Sequence, residues 1–331
     1  MNARRLAVLG AGSWGTALAI ALSSRFESVR LWSRQAERAA EMAEARENRR
    51  YLPGLLLPAH VEVSWDIAFT VKEAAIVLTV VPSRYFRALL ETVEPHVSQD
   101  AMVVSATKGL EQTTLYRMSQ VITEVLPGRR TAVLSGPTFA KEIAAGEPAA
   151  VVIASEKIAV AEEIQHAFAT PNLRFYASDD VVGVELGAAL KNVIAIGAGI
   201  CNGLGLGSNS VAALVTRGLA EITRLTVKMG GQPRTLSGLA GLGDLVLTAT
   251  GDLSRNRYVG AQLGRGHALE QILSGMNMVA EGVVTCRAAY QLGVEQSVDL
   301  PIINKMYEVL YESKEPRRAI PELMERPLTT E

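Results

Sequence analysis

The sequence predicts an α/β fold followed by an all-helical one. Three observations lead there. The first 180 or so residues alternate short apolar runs with helix-like stretches, a glycine-rich turn joins the first run to the first helix, and after about residue 180 the strand signal stops. Several of the apolar runs are β-branched and show no polar alternation, as strands covered on both faces do. Strands alternating with helices build a doubly wound, mostly parallel sheet.

In chain order the predicted strands are "RLAVLG", "SVRLW", "VEVSW", "AIVLTVV", "AMVVSAT", "TAVLSG", "AAVVIAS" and "LRFYA". Predicted helices lie between them at 14–24, 35–48, 84–93, 115–125 and 157–168. Further on, "VELGAALKNVIAIGAGI", "VAALVTRGLAEITRLTVKMG", "NRYVGAQLGRG", "VVTCRAAYQLG" and "LPIINKMYEVLYES" all read as helices. No Pro/Gly/Ser-rich spacer separates the halves. The boundary is therefore expected on a long helix near residues 180–190, between a dinucleotide-binding domain at 1–184 and an all-α substrate domain at 185–331. A cleft between two such domains is the default place for catalysis.

Composition narrows the function. A chain of 331 residues exceeds one typical core. A formal net charge of −1 offers no bulk attraction to nucleic acid. Two distant cysteines, Cys201 and Cys286, and four scattered histidines form neither a metal-ligand spacing nor a disulfide framework, which fits a reducing cytoplasm. The chain opens directly on a strand-like run, so no signal peptide is expected. The longest apolar stretch, 181–200, contains Glu185, Lys191 and Asn192, all costly in lipid; a buried core helix explains it better than a membrane span.

Gly10, Gly12 and Gly15 stand at G-x-G-x-x-G spacing, directly after a strand and before a helix, the context of a Rossmann-type dinucleotide site. Gly10 allows the tight turn, Gly12 lets backbone approach the pyrophosphate, and Gly15 lets helix and strand pack closely. The helix start at Ser13 and Trp14 aims N–H groups at the phosphates. The second strand ends in Ser33-Arg34. An acid there would hold the free ribose hydroxyl of NAD; Arg34 reads either as a partner for the 2′-phosphate of NADP or as a surface arginine opening the charged stretch "RQAERAAEMAEAR". NADPH is the expected preference, with NADH not excluded. Tyr51, in "NRRYLPG", is a further candidate cofactor contact.

The chemistry-bearing residues follow other strand ends. "TVVPS", 79–83, is expected beside the nicotinamide. Lys108, in "SATKGL", reads either as a partner for an anionic or carbonyl oxygen or as a surface lysine. Gly136-Pro137-Thr138 makes a shaped turn with a hydroxyl and free N–H groups. Lys191 lies in the apolar stretch. Buried, it suits a proton donor and acceptor; on a solvent-facing stripe it has no such role. Asp244 reads as a helix N-cap or as a site residue. Ser254, Arg255 and Asn256 form a capped helix start suited to a phosphate. Glu281 either favours a helix N-terminus or touches the cofactor.

Taken together, "GAGSWGTALA", "VVPS", "ATKGL", "SGPTFAKE", "LKNVIAIGAG", "TRGLAE", "AGLGDLVLT", "SRNR" and "VAEG" resemble, in order, the bacterial-type NAD(P)-dependent sn-glycerol-3-phosphate dehydrogenases. The resemblance covers nearly the whole chain. It implies interconversion of dihydroxyacetone phosphate and sn-glycerol 3-phosphate with NAD(P)H, supplying phospholipid synthesis in the cytoplasm as a homodimer. It implies Lys191 as proton acceptor and donor. Lys108, Gly136, Thr138, Asp244, Ser254, Arg255 and Asn256 are implied substrate contacts. Ser13, Trp14, Arg34, Lys108, Ala140, Arg255, Val279 and Glu281 are implied around the cofactor, with no metal.

Two rival readings remain open on the residues alone. A hydroxy-acid or sugar-acid dehydrogenase would use "SRNR" as a carboxylate clamp, and its sugar-nucleotide variety would need a nucleophilic cysteine. A non-enzymatic NADPH-binding regulator would need neither Lys191 nor Asp244.

Overall fold

The computed structural model describes residues 5–276 and 279–327. Eight strands form one sheet: β1 (Arg5–Leu9), β2 (Ser28–Trp32), β3 (Val61–Ser64), β4 (Ala74–Thr79), β5 (Met102–Ser105), β6 (Arg130–Ser135), β7 (Ala149–Ala154) and β8 (Leu173–Ser178). Its order is β3-β2-β1-β4-β5-β6-β7-β8. Every pair is parallel except β6–β7. All eight predicted strands are present.

The helices between them are α1 (Ser13–Leu22), α2 (Ala36–Ala45), α3 (Ile67–Val71), α4 (Phe86–Val93), α5 (Met118–Val125), α6 (Ala140–Ala144) and α7 (Ile158–Phe168). The five predicted helices are there with shifted ends. The short α3 and α6 were not expected, because five residues carry too little periodicity to read.

Both faces of the sheet are covered, which is why its strands lack alternation. Leu6 and Val8 of β1 join one core with Leu18, Leu22 and Phe168 from α1 and α7. Ala7 and Leu9 join the other with Phe86, Leu90 and Ile122 from α4 and α5.

The remaining helices are α8 (Val181–Gly203), α9 (Ser208–Lys228), α10 (Pro233–Leu236), α11 (Asp244–Thr250), α12 (Arg255–Gly264), α13 (Leu269–Ser274), α14 (Glu281–Glu295), α15 (Pro301–Tyr311) and α16 (Pro316–Met324). Among the described residues no strand follows β8. The chain divides into two compact units, one of Met1–Glu111 with Tyr116–Glu185, the other of Gln112–Leu115 with Leu186–Glu331. The division falls inside α8. Within the first unit, the buried carboxylate of Glu185 accepts from Arg117 Nη1 at 2.6 Å, Ser119 N at 2.8 Å and Ser119 Oγ at 2.6 Å. That fastens the N-terminal part of α8 to the start of α5. By length and apolarity α8 is a candidate membrane span, yet 94% of its most apolar window is buried within the protein.

In the second unit, α8 and α12 cross with backbones almost touching. A Cβ on Gly260 would lie 1.9 Å from the Ile196 carbonyl oxygen, and one on Gly199 would lie 2.0 Å from that of Arg257. Nothing larger than glycine fits at this crossing. It sets the α12 N-terminus relative to the middle of α8.

Candidate active site

The glycine loop begins where β1 ends. Gly10 has φ +127°, and a Cβ there would sit 2.5 Å from the Val80 carbonyl oxygen, so "TVVPS" is pressed against the turn. A Cβ on Gly15 would lie 1.8 Å from the Gly10 carbonyl oxygen, while one on Gly12 would meet nothing within 4 Å. Gly12 thus faces open space at the N-cap of α1, a ten-residue helix that no side chain caps. The first N–H groups and the positive end of the helix are available to an anion. The indole Nε1 of Trp14 is buried with no hydrogen-bond partner among the described residues. An open backbone cradle, an uncapped helix start and a donor awaiting an acceptor all fit a dinucleotide.

Asn48 braces this loop, and the sequence did not flag it. Its buried side chain donates to the Ala11 carbonyl at 3.0 Å and to Thr16 Oγ1 at 2.8 Å. Its Oδ1 accepts from the Tyr51 N–H at 3.2 Å. Tyr51 is therefore tied to the glycine loop through one amide. The Tyr51 hydroxyl accepts from Arg38 Nη1 at 3.0 Å. Arg34, just past β2, is exposed and lies over the Tyr85 ring at 5.4 Å. The only advance sign of Asn48 was an amide inside the charged run "ENRRY".

Lys108, Gly136 and Thr138 come together in the first unit. Lys108 Nζ donates to the Gly136 carbonyl at 3.2 Å, and Thr138 Oγ1 donates to the same oxygen at 3.1 Å. Lys108 is partly buried rather than a free surface lysine. Ala140 opens α6, which packs on α1, the helix that Ser13 and Trp14 begin.

Lys191 is buried in α8, with 4% of its surface exposed. Its ammonium donates to the Asp244 carboxylate and, at 2.7 Å, to Thr248 Oγ1. The Thr248 hydroxyl in turn donates to the Asp244 carbonyl at 2.6 Å, so its lone pairs face the lysine. Reading Asp244 as a helix N-cap is corrected here. Gly243 holds the cap position of α11 without a side-chain bond, and Asp244 turns its carboxylate to Lys191 instead. The physical reason is pairing: a buried ammonium requires a counter-charge, which outweighs a cap bond. Thr248 escaped the sequence reading, although its place four residues after Asp244 puts both on one helix face.

Ser254 caps α12, its Oγ accepting from the Arg257 N–H at 3.2 Å. Asn256 is buried and occupied: it donates to Asn192 Oδ1 at 2.9 Å and accepts from the Gly282 N–H at 2.9 Å. This amide relay links α8, α12 and α14. Arg255 Nη1 donates to the Val279 carbonyl at 2.8 Å. Arg255 keeps an exposed surface, yet protein crowds its guanidinium. That desolvation pulls its pKa down and the Glu281 carboxylate pulls it up. A guanidinium stays charged either way. "SRNR" and "VAEG" therefore meet at Arg255, Val279 and Glu281. Glu281 is the first residue of α14, where an acid favours the helix N-terminus.

Burial pushes the thiols of Cys201 and Cys286 up, away from thiolate, so neither is a ready nucleophile. Among the described residues no three His, Cys, Asp or Glu side chains group as a metal site.

A Rossmann-type sheet with an open glycine cradle, and a helical unit with a buried lysine–carboxylate pair, define a nicotinamide-dependent dehydrogenase. The family model of the NAD-dependent glycerol-3-phosphate dehydrogenase N-terminus matches residues 5–161, and that of the C-terminus matches 180–321. The NAD(P)+ glycerol-3-phosphate dehydrogenase of Koribacter versatilis is 53% identical, over 99% of this chain and 98% of its own length. That of Geobacter sp. strain M21 is 51% identical, over 99% of each. The crystal structure of glycerol-3-phosphate dehydrogenase from Coxiella burnetii superposes with a TM-score of 0.94 at 37% identity, covering 98% of this chain and 99% of that one. The chain belongs to the NAD-dependent glycerol-3-phosphate dehydrogenase family. It is an oxidoreductase of small-molecule substrates, using NAD(P). The hydroxy-acid and regulator readings lose their ground.

Proposed function

We propose that this chain interconverts dihydroxyacetone phosphate and sn-glycerol 3-phosphate with NAD(P)H, preferring NADPH. The observation that carries the reading is Lys191: a buried ammonium held by Asp244 and Thr248. The nicotinamide, when bound, supplies the hydride to the ketone carbon or takes it back from the alcohol. Lys191 donates its proton to the oxygen that becomes an alkoxide, and recovers it in the reverse direction. Asp244 and Thr248 aim the ammonium. Arg255 and the first-turn N–H groups of α12 hold the substrate phosphate, and that remote binding orients a small ketone. Lys108, Gly136 and Thr138 contact substrate, with Lys108 also meeting the cofactor. Asn256 supports the site through its amide relay.

On the cofactor side, the α1 N-terminus with Ser13 and Trp14 takes the pyrophosphate, Arg34 reads the 2′-phosphate, and Tyr51, Ala140, Val279 and Glu281 line the remainder. The biological reading is a cytoplasmic homodimer that supplies glycerol 3-phosphate to phospholipid synthesis and binds no nucleic acid.

The test is the fall of 340 nm absorbance with dihydroxyacetone phosphate, run in parallel with NADPH and NADH. Fast NADPH oxidation is expected, with slower NADH oxidation. Lys191→Ala should lower turnover by roughly 10²–10⁴-fold. Removing the ammonium leaves a buried carboxylate, so Lys191→Met/Asp244→Asn serves as the charge-balanced control for folding. Wild-type turnover in a folded Lys191 variant would remove the proton-transfer role.

A further inference from the structure

Arg34 does not stand alone at the end of the sheet. β1 lies between β2 and β4, with Leu9 level with Trp32 on one side and Thr79 on the other. The chain leaving β2 carries Arg34. The chain leaving β4 carries Arg84 and Tyr85 in the short helical turn Ser83–Tyr85. The two segments therefore leave the sheet on either side of the glycine loop, and they meet on one ring. Cζ of Arg34 lies 5.4 Å from the Tyr85 ring centroid, and Cζ of Arg84 lies 4.6 Å from it.

Both arginines are exposed, and among the described residues neither has a carboxylate within ion-pair distance. Arg87, three residues further on, shows the contrast: it is held by Glu111 at 2.8 Å and Glu124 at 2.9 Å. Two like charges sharing one ring repel each other, and the ring face offsets only part of that. A phosphate placed between them relieves the repulsion. Guanidiniums grip phosphate oxygens in pairs, so two of them suit a dianion better than one does.

We propose that Arg84 shares the 2′-phosphate of NADPH with Arg34, with Tyr85 holding the two guanidiniums together. The ligand class is a 2′-phosphorylated adenosine dinucleotide; the free 2′-hydroxyl of NADH gives neither arginine a charge to meet. The inference rests on the reading of Arg34 given under the proposed function.

The test is calorimetric titration of the full chain with 2′,5′-ADP and with 5′-ADP, which isolates the 2′-phosphate from the nicotinamide and from catalysis. The variants are Arg34→Ala, Arg84→Ala and Arg84→Lys. Arg174→Ala is the control, because Arg174 stacks on Tyr176 at 5.3 Å in the same manner but on β8, the far edge of the sheet. Arg84→Ala should weaken 2′,5′-ADP about tenfold while leaving 5′-ADP unchanged. Arg84→Lys should recover part of the loss, Arg174→Ala should change neither ligand, and added salt should erode the wild-type preference more than that of Arg84→Ala. A selective loss in Arg34→Ala with none in Arg84→Ala overturns the sharing and leaves Arg34 as sole reader. A selective loss in Arg84→Ala alone overturns the reading of Arg34. A wild-type protein indifferent to the 2′-phosphate overturns both.

Discussion

Thr248 is the smallest part of the site with a measurable job. Its hydroxyl donates to the Asp244 carbonyl and accepts from Lys191, which leaves the ammonium two fixed acceptors rather than one. Thr248→Val keeps the shape and removes the acceptor. We expect turnover to fall about tenfold, a loss of about 1.4 kcal/mol, with the Michaelis constant for dihydroxyacetone phosphate little changed. Equal loss in both parameters would show that Thr248 serves binding rather than proton placement. At this scale the sequence was partly legible. A lysine inside twenty residues of apolar helix announces itself, because burying a charge there has to be compensated. Thr248 and Asn48 do not, because a hydroxyl or amide gains its meaning from a partner distant in the chain.

Among the elements, the crossing of α8 and α12 carries the arrangement of the second unit. Four glycines, Gly199 and Gly203 on α8 with Gly260 and Gly264 on α12, let the two backbones meet. The sequence shows these as ordinary helix glycines, each unfavourable by about 1 kcal/mol against alanine. The crossing reverses that sign. Gly260→Ala would place a methyl 1.9 Å from the Ile196 carbonyl oxygen, forcing the helices apart. We expect a loss of about 1–3 kcal/mol in urea unfolding, with turnover falling because Ser254 and Arg255 ride on the displaced helix. Unchanged stability would mean that the crossing relaxes freely. The same scale explains the Asp244 correction: a glycine before an acid before an apolar run is a sound cap signal, and here the pairing need of a neighbouring helix overrides it.

For the molecule as a whole, a pH-dependent stability is expected from Glu221, the last residue of "TRGLAE", to which the motif by itself assigned no role. Glu221 of α9 is buried, and its carboxylate accepts from the N–H groups of Ile302 at 2.7 Å and Ile303 at 3.2 Å, capping α15. Burial pushes its pKa up to about 7 from the ordinary 4.5, against the pull of those two N–H groups and of Arg224, with Asp299 adding to the rise. The folded state therefore holds a proton that the unfolded chain has released between those values. Stability contributed by the protonated form is full below about 4.5 and is lost as pH rises through about 7. Glu221→Gln retains an acceptor and does not titrate. Relative to it, the wild type should lose up to about 3 kcal/mol across that window, read from urea midpoints at pH 5 and pH 8. Parallel pH curves for the two proteins would exclude Glu221 as the source.

The sequence alone determined the strands, the helical second half, the glycine cradle and the motif set that marks the family. Those features are local: period, turn chemistry and spacing are written along the chain. Only the tertiary structure decided that Asp244 faces Lys191, that Asn256 is taken up by Asn192 and Gly282, that Asn48 braces the cofactor loop, and that α8 and α12 touch through glycine. Each of these is a contact between residues far apart in sequence. Its energy comes from removing charge, amide or backbone from water together, so it exists only once the chain has folded.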